Sequence, residues 1–287
     1  MEQDILSVVS AGECGFSKSQ RAIAKFLLES YSTAAFMTAG KLACAAGVSE
    51  STVVRFAQEL GYGSYPEMRK ALADVVRGRL TAVQRIRAAQ GLIESGDILT
   101  HVLSSDIEQI RLTMESVDRD EFERAVSAIV SAKNIYIFGL RSASAISHFM
   151  GYYFNLLLAN VRVVSESSPL EVFEQIVHMG EGDLLLALSF PRYSTRTLRA
   201  MRYAREWGAT VVGITDSPSS PVAKSSDIVL RARSDMVSFL DTLVAPLSLM
   251  NALIVAVSER SGADIYSNFE RLERLWDEFE VYKKTDE

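Results

Sequence analysis

LACAAGVSESTVVRFAQELGYGSY, residues 42–65, reads as two short helices joined at a glycine. Which way the second helix faces decides the purpose of the N-terminal part of the chain. Ser49 can cap that helix by accepting from a free backbone N–H one turn in, and Glu50 then lies where the helix dipole favours a negative charge. Val53, Phe56, Ala57 and Leu60 recur at i, i+3, i+4 and i+7 as one apolar stripe. Ser51, Thr52, Arg55, Gln58 and Glu59 fall outside the stripe, so the outer face is polar and short-armed. Thr38 can cap a preceding helix that carries Leu42, Ala43 and Ala46, Gly47 can supply the positive φ of a tight turn, and Gly61 closes the second helix. On local pattern alone, a generic pair of packed helices remains open beside a DNA-reading one.

Further upstream, FSKSQRAIAKFLLES places Ser17 three residues before Gln20, a capping box, followed by Ile23, Phe26 and Leu27 on one face. This predicts a supporting helix. With that helix in place, Leu42-Ala43, Gly47-Val48-Ser49, Thr52-Val53-Val54-Arg55-Phe56 and Leu60-Gly61-Tyr62 resemble, in order and spacing, the helix-turn-helix domain of the RpiR/MurR family of bacterial transcription regulators. The resemblance implies that the helix from Ser49 to Leu60 is the recognition helix. Ser51, Thr52 and Arg55 are the foremost expected groove contacts, within a DNA-contacting set of Lys41, Ser49, Ser51, Thr52, Arg55, Gln58, Arg69 and Lys70. Arginine pairs bidentately with guanine, and serine or threonine reaches a base edge or a phosphate.

Charge offers an independent test. Residues 1–87 hold 11 Lys+Arg against 8 Asp+Glu, a balance of +3, and the rest holds 19 against 28, a balance of −9, which together make the whole-chain −6. Between positions 69 and 87, Arg69, Lys70, Arg77, Arg79, Arg85 and Arg87 face the single acid Asp74. Basic charge beside a reading helix is what phosphate neutralisation calls for, although a solvated helix face gives the same run.

A chain of 287 residues with 48% hydrophobic content has room for two cores. Two cysteines, Cys14 and Cys44, are too few for a zinc site, and they point to a reduced, intracellular protein. Residues 1–16 start acidic and lack the apolar core of a signal peptide, so a cytoplasmic location is expected. The greasiest stretch, FLDTLVAPLSLMNALIVAV at 239–257, contains Asp241, Pro246 and Asn251, which fits a buried or interface helix better than a membrane span.

Residues 91–117 and 118–132 read as helices, with Asp118 capping the second. From Lys133 the pattern changes to short β-branched runs, NIYIFG, VRVVS, DLLLALS, TVVGIT and DIVLRA, separated by helical stretches at about 143–158, 169–178 and 194–207. Such alternation predicts a parallel five-stranded sheet covered on both faces, an αβα sandwich. Ligands of such sheets sit beyond the carboxyl ends of the strands, where loop amides and helix N-termini hold anions. The two loops that draw attention run from Gly139 to Ser144 and from Ser189 to Ser194, each joining hydroxyls to one arginine. The serines can also simply cap the helices that follow.

Residues 120–260 resemble the sugar isomerase (SIS) domain, a phosphosugar-binding α/β module, most closely in GDLLLALSF and in AREWGATVVGITDSPSSPVAKSSDIVL. The order of the two domains is that of RpiR-type regulators. By this resemblance the loop after DLLLAL is usually Ser-x-Ser-Gly-x-Thr. Here Ser189 is kept, Pro191 and Arg192 stand at the inner serine and glycine, and Ser194 replaces the threonine. The first loop is usually Gly-x-Gly-x-Ser. Here Gly139 is kept, Arg141 replaces the second glycine and Ala143 the serine. The expected effector-binding set is therefore Arg141, Ser142, Ser144, Ser189, Arg192, Tyr193 and Ser194, in a rearranged pocket for a sugar phosphate or related acidic metabolite.

An aldose–ketose isomerase needs a positioned base. His101, His148 and His178 read as ordinary helix residues, and Glu166 and Glu171 have no partner acid at a recognisable spacing. The expected protein is thus a DNA-binding regulator rather than an enzyme, without cofactor or metal: an all-α helix-turn-helix domain (1–80), a helical linker (81–119), a SIS domain (120–262) and a C-terminal helix (263–287). Its expected partners are a double-stranded DNA operator, the acidic effector and further copies of itself as a homodimer or homotetramer, with no membrane. The family resemblance favours a repressor of carbohydrate catabolic genes. A long apolar helix from about Met236 to Arg260 and an amphipathic tail with Phe269, Leu272, Leu275, Trp276 and Phe279 on one face are the expected subunit contacts.

Overall fold

The computed structural model describes residues 5–12, 15–77, 80–89, 97–165, 168, 170–262 and 264–283. The chain divides into two compact units, Met1–His101 with Met236–Asp241, and Val102–Asp235 with Thr242–Glu287.

In the first unit, helices α1 (Ile5–Gly12), α2 (Lys18–Glu29), α3 (Tyr31–Ala34), α4 (Ala39–Ala46), α5 (Glu50–Glu59), α6 (Tyr65–Arg77) and α7 (Ala82–Ala89) surround one apolar core. Each amphipathic helix turns one stripe inward: Ile23, Ala24 and Leu27 from α2, Val53, Phe56 and Ala57 from α5, Met68, Leu72 and Val76 from α6. Phe16 meets Phe56 edge to face at 5.2 Å. The predicted caps form. The Ser17–Gln20 capping box closes reciprocally, Thr38 accepts from the Lys41 amide, and Ser49 accepts from the Thr52 amide. Gly47 takes φ 67° between α4 and α5, the left-handed step that lets the second helix leave the first at once. Met236–Asp241, a short hairpin closed by a Met236–Asp241 bridge, belongs to this unit, where Asp241 Oδ2 meets Arg85 Nη1 at 2.7 Å.

The long helix α8 (Ile98–Ser116) is followed by α9 (Arg119–Ser131), whose N-terminus Asp118 caps through the Asp120 and Glu121 amides. Then come β1 (Ile135–Gly139), α10 (Ala143–Leu157), β2 (Val161–Val163), α11 (Glu171–Gln175), β3 (Leu184–Leu188), α12 (Thr195–Glu206), β4 (Thr210–Thr215), α13 (Pro221–Lys224), β5 (Ile228–Arg231), α14 (Val244–Ser261) and α15 (Asp264–Glu278). The sheet is parallel throughout, in the order β2-β1-β3-β4-β5, and β1 and β3 are buried along their whole length. Alternate residues serve opposite layers. Ile135, Ile137, Leu186 and Val212 pack in one apolar cluster with side chains of α9, α10 and α14. Tyr136, Phe138, Leu185 and Val211 pack in another with side chains of α12 and α13.

Two expectations change. The helix expected at 169–178 is the single turn and a half of α11, because the Asp183 carboxylate takes the Gly180 amide at 2.9 Å and turns the chain into β3. The helix expected from Met236 starts at Val244. Pro246 lies in its first turn, where a missing N–H costs nothing. Seven residues of α14, from Ala245 to Val257, are buried, and its apolar face fills this unit's own core instead of standing free as a subunit contact. Among the described residues no helix is long and apolar enough to cross a membrane.

Candidate nucleic-acid interface and anion site

Helix α5 presents to solvent the face that the sequence reading assigns to DNA. Ser51, Arg55 and Gln58 are exposed and Thr52 is half-buried, while Val53, Phe56 and Ala57 are sealed in the core. The Ser49 hydroxyl lies 2.7 Å from the Thr52 hydroxyl and 2.9 Å from that of Ser51. The Arg55 Nε donates back to the Ser51 carbonyl at 3.3 Å, which lays the guanidinium along the outer surface of its own helix. Gln20 of α2 hydrogen-bonds the Glu59 carboxylate and so ties down the far end of α5. Tyr65 donates to the Met37 carbonyl at 2.9 Å, and burial pushes its phenol up to about 12. Lys41 and Lys70 are exposed, and Arg69 is half-buried.

The basic run is only partly available. Arg85 is buried, 3% exposed, in its ion pair with Asp241, so it supports the fold and offers no charge to phosphate, contrary to the sequence reading. Residue 79, the side chains of residues 77 and 87, and the expected reach of Glu166 lie outside the described residues. The signal that Arg85 is structural was absent from its neighbourhood in sequence, since its partner is 156 residues away.

In the second unit the order 2-1-3-4-5 makes the gap between β1 and β3 the point where the sheet reverses its direction of winding, the place such folds open a crevice for ligands. Gly139 at the end of β1 pairs in register with Leu188 at the end of β3, so the two loops singled out in the sequence start side by side there. Gly139 must be glycine, because a Cβ would come within 2.5 Å of the Ser147 hydroxyl and 2.8 Å of the Ala143 carbonyl.

The two loop arginines hold left-handed backbones, φ 57° at Arg141 and 66° at Arg192. These are the positions at which the resemblance expects glycine. A side chain at such a φ costs on the order of 1 kcal/mol or more, and backbone of this kind is concentrated at functional sites. Both side chains are exposed, and neither guanidinium has a hydrogen bond or ion pair among the described residues.

The serines do local work as well. Ser144 donates to the Arg141 carbonyl at 2.6 Å, Ser189 accepts from the Ser194 amide at 3.1 Å, and Ser194 caps α12 through the Thr197 amide. Ser142 is exposed and makes no capping bond. Tyr193 donates to the Asp216 carboxylate at 2.9 Å, and Thr215 donates to the same oxygen at 3.3 Å. The sequence reading missed Asp216. Its position directly after the fourth strand run was the available signal.

His148 donates from Nδ1 to the Ser144 carbonyl at 2.7 Å on an exposed helix face, His178 is exposed, and Glu171 accepts from the Ser168 amide at 3.1 Å. Among the described residues no group of His, Cys, Asp and Glu side chains is placed to hold a metal ion.

The structure thus joins a helix-turn-helix head in one unit to a doubly wound parallel sheet in the other, with an arginine in left-handed backbone in the loop after each of β1 and β3. The sequence comparisons agree. Residues 4–77 match the family model for the helix-turn-helix domain of the rpiR family, and residues 128–256 match that of the SIS domain. HexR of Pseudomonas aeruginosa, an HTH-type transcriptional regulator, is 25% identical over 260 residues, covering 89% of this chain and 90% of that protein. HexR of Escherichia coli K12 is 26% identical over 263 residues, covering 89% and 88%. Among solved structures, the Vibrio vulnificus NanR protein complexed with ManNAc-6P has the same fold, with a TM-score of 0.59 at 22% identity over 96% of this chain and 98% of that one. The chain belongs to the rpiR family of helix-turn-helix transcriptional regulators that carry a SIS domain.

Proposed function

We propose that this regulator is a cytoplasmic repressor of carbohydrate catabolic genes that binds its operator as a homodimer or homotetramer and responds to an acidic sugar derivative, a sugar phosphate or sugar acid. It is not an enzyme. On the DNA side, Ser51, Thr52 and Arg55 of α5 read base edges, and Lys41, Ser49, Gln58, Arg69 and Lys70 position the duplex backbone. On the effector side, Arg141 and Arg192 hold the acidic group from the two neighbouring strand ends, with Ser142, Ser144, Ser189, Tyr193 and Ser194 lining the site.

One observation carries the reading of the effector: two arginines in left-handed backbone, without a hydrogen bond or ion pair of their guanidinium groups among the described residues, in the loops that leave the adjacent ends of β1 and β3 at the reversal point of the sheet. A guanidinium that can chelate an anion is a reason to tolerate that strain, and a structural loop would have no use for it. A relative of the same fold, NanR, is complexed with a sugar phosphate, which supports a ligand of this class. Isomerisation would require a base aimed into the crevice, whereas His148 lies on an exposed helix face and His178, expected in a helix, lies exposed in the turn after α11.

Calorimetry against a panel of sugar phosphates and sugar acids tests the assignment. Arg141→Ala and Arg192→Ala should each weaken binding about 10-fold or more, the worth of a charge-assisted hydrogen bond. Unchanged affinity in both variants refutes the arginine roles. A gel shift with the DNA upstream of its own gene, with and without the best ligand, tests the regulation. Turnover of any aldose or ketose phosphate by the purified protein would restore the enzymatic reading.

A further inference from the structure

The connection from β5 to α14 leaves one unit and comes back to it. Connections between a strand and the next helix usually take about 2–6 residues. This one runs from 232 to 243, and its middle, Met236–Asp241, belongs to the head. Met236 and Val237 are buried, and Asp241 holds Arg85 of α7 at 2.7 Å in a pair that leaves the arginine only 3% exposed. Both legs of the hairpin are fastened in the second unit. The Thr242 amide donates to the Asp235 carbonyl at 3.1 Å, the Ser234 hydroxyl donates to the Thr242 carbonyl at 2.9 Å, and Arg233 holds the Asp235 carboxylate at 2.7 Å.

The division between the units also falls within α8, between His101 and Val102. Just beyond it, α8 clips the base of the hairpin: Asp106 accepts from the Thr242 hydroxyl at 2.5 Å, and Thr113 accepts from the Arg233 amide at 2.9 Å. To do so the helix buries Gln109 and Thr113 and leaves Leu103, Ile107, Ile110 and Met114 53, 68, 37 and 64% exposed. A helix serving stability alone would bury the apolar set. At the other end the same framework reaches the effector loops. Ala232 donates its amide to the Thr215 carbonyl at 2.9 Å, and the next residue, Asp216, accepts from Tyr193 of the loop after β3 at 2.9 Å.

We propose that the hairpin is the strap through which occupancy of the strand-end crevice alters the head. A shift of Tyr193 passes through Asp216 and Thr215 to the end of β5, and the closed hairpin base carries it to Asp241 and so to Arg85 of α7. The buried ion pair is a firm anchor, because parting it strands a charge away from water. Helix α8, clipped to the hairpin base, is the second continuous connection, against which the strap pulls. The inference rests on the effector reading given above and names the regulation of that site. Coupling of this kind is reciprocal, so a change made in the head must be felt at the hairpin base in the second unit.

Hydrogen exchange of the full chain, without ligand or DNA, tests the strap by itself. Arg85→Ala, made in the head, should speed exchange of the Arg233 and Thr242 amides by about 10-fold, while the β1 and β3 amides keep wild-type rates. Inserting Gly-Gly into each leg, after Asp235 and after Asp241, slackens the strap at small entropic cost and should make those two amides indifferent to Arg85→Ala. Arg85→Lys, which keeps the charge, carries the same readout if circular dichroism shows the alanine variant's head unfolded. Wild-type rates at both amides in the Arg85 variants, or equal acceleration with and without the insertions, overturns the proposal. With glucose 6-phosphate and the other sugar phosphates of the panel as probes, the slack protein should bind them as wild type does. The change they cause in affinity for the DNA upstream of its gene should drop from roughly 10-fold or more to under about 2-fold. Undiminished coupling in the slack protein overturns the strap. If no sugar phosphate binds even the wild type, the effector reading fails, and the exchange rates still decide whether the hairpin couples the units.

Discussion

The head and the α/β unit both expose arginine to solvent, on opposite kinds of backbone. Arg55 stands on a regular helix, braced by the carbonyl one turn before it, in a conformation that any residue adopts. Arg141 and Arg192 stand on left-handed turns that glycine would occupy more comfortably. The difference matches the two targets proposed above. A duplex groove accepts a convex helix, so its reader needs only a surface. A small ligand must be approached from a concave crevice at the strand ends, and there the chain has to turn sharply while it presents a long side chain. Strain should therefore be measurable in one unit and absent from the other.

The largest effect expected is in the head. Arg85→Ala leaves the Asp241 carboxylate buried without its cation and should cost about 3–5 kcal/mol. Urea unfolding followed by far-UV circular dichroism checks this, and the fluorescence of Trp207 and Trp276, both in the second unit, reports on that unit separately. Replacing both partners together, as Arg85→Met/Asp241→Leu, should recover most of the loss. If the single variant unfolds like wild type, the ion pair is not what holds the hairpin to the head.

Next comes Arg55→Ala, which should weaken operator binding by about 1–3 kcal/mol while leaving thermal stability unchanged, because the side chain is outside the core. A comparable loss on random duplex would show that Arg55 meets phosphate and not a base.

Arg141→Gly and Arg192→Gly sharpen the contrast most directly. Each should raise the stability of the α/β unit by up to about 1 kcal/mol as the left-handed strain is relieved, offset in part by the entropy of glycine, and each should weaken binding of the acidic ligand. The matched change Arg55→Gly, on helical backbone, should instead destabilise by about 1 kcal/mol. Opposite signs at the two sites would establish the comparison, and equal signs would break it.

The smallest effect concerns pH. The Tyr65 phenol is raised to about 12 by burial, so its contribution to stability is complete below pH 10, its ordinary pKa, and is lost as pH rises from 10 towards 12. Tyr65→Phe should blunt that alkaline loss in the head, at the expense of the bond to Met37. The alkaline midpoint of head unfolding in the two proteins is the measurement.

Much of this was legible in the chain because it is local. Ser17, Thr38, Ser49 and Asp118 cap helices through amides two or three residues away, and Gly47 turns within its own neighbourhood, so their roles follow from spacing alone. The strand runs were equally readable, since a strand buried on both faces must be continuously apolar. Arg85 and α8 were not. One is neutralised by a carboxylate from the far side of the sequence, and the other packs its polar side chains inward because Thr113 and Asp106 meet backbone and hydroxyl partners more than 100 residues on. No window of sequence contains such pairs.

The amino-acid sequence by itself determined the two kinds of architecture, the helix that presents a polar outer face, and the two arginines at strand ends, because periodicity, capping and β-branched runs act over a few residues. Only the tertiary structure decided that β1 and β3 are neighbours at the reversal point of the sheet, that both arginines sit in left-handed backbone, and that α8 leaves its apolar face uncovered. Strand order and burial are set by the free energy of packing distant segments against one another, and that quantity is not written in any single segment.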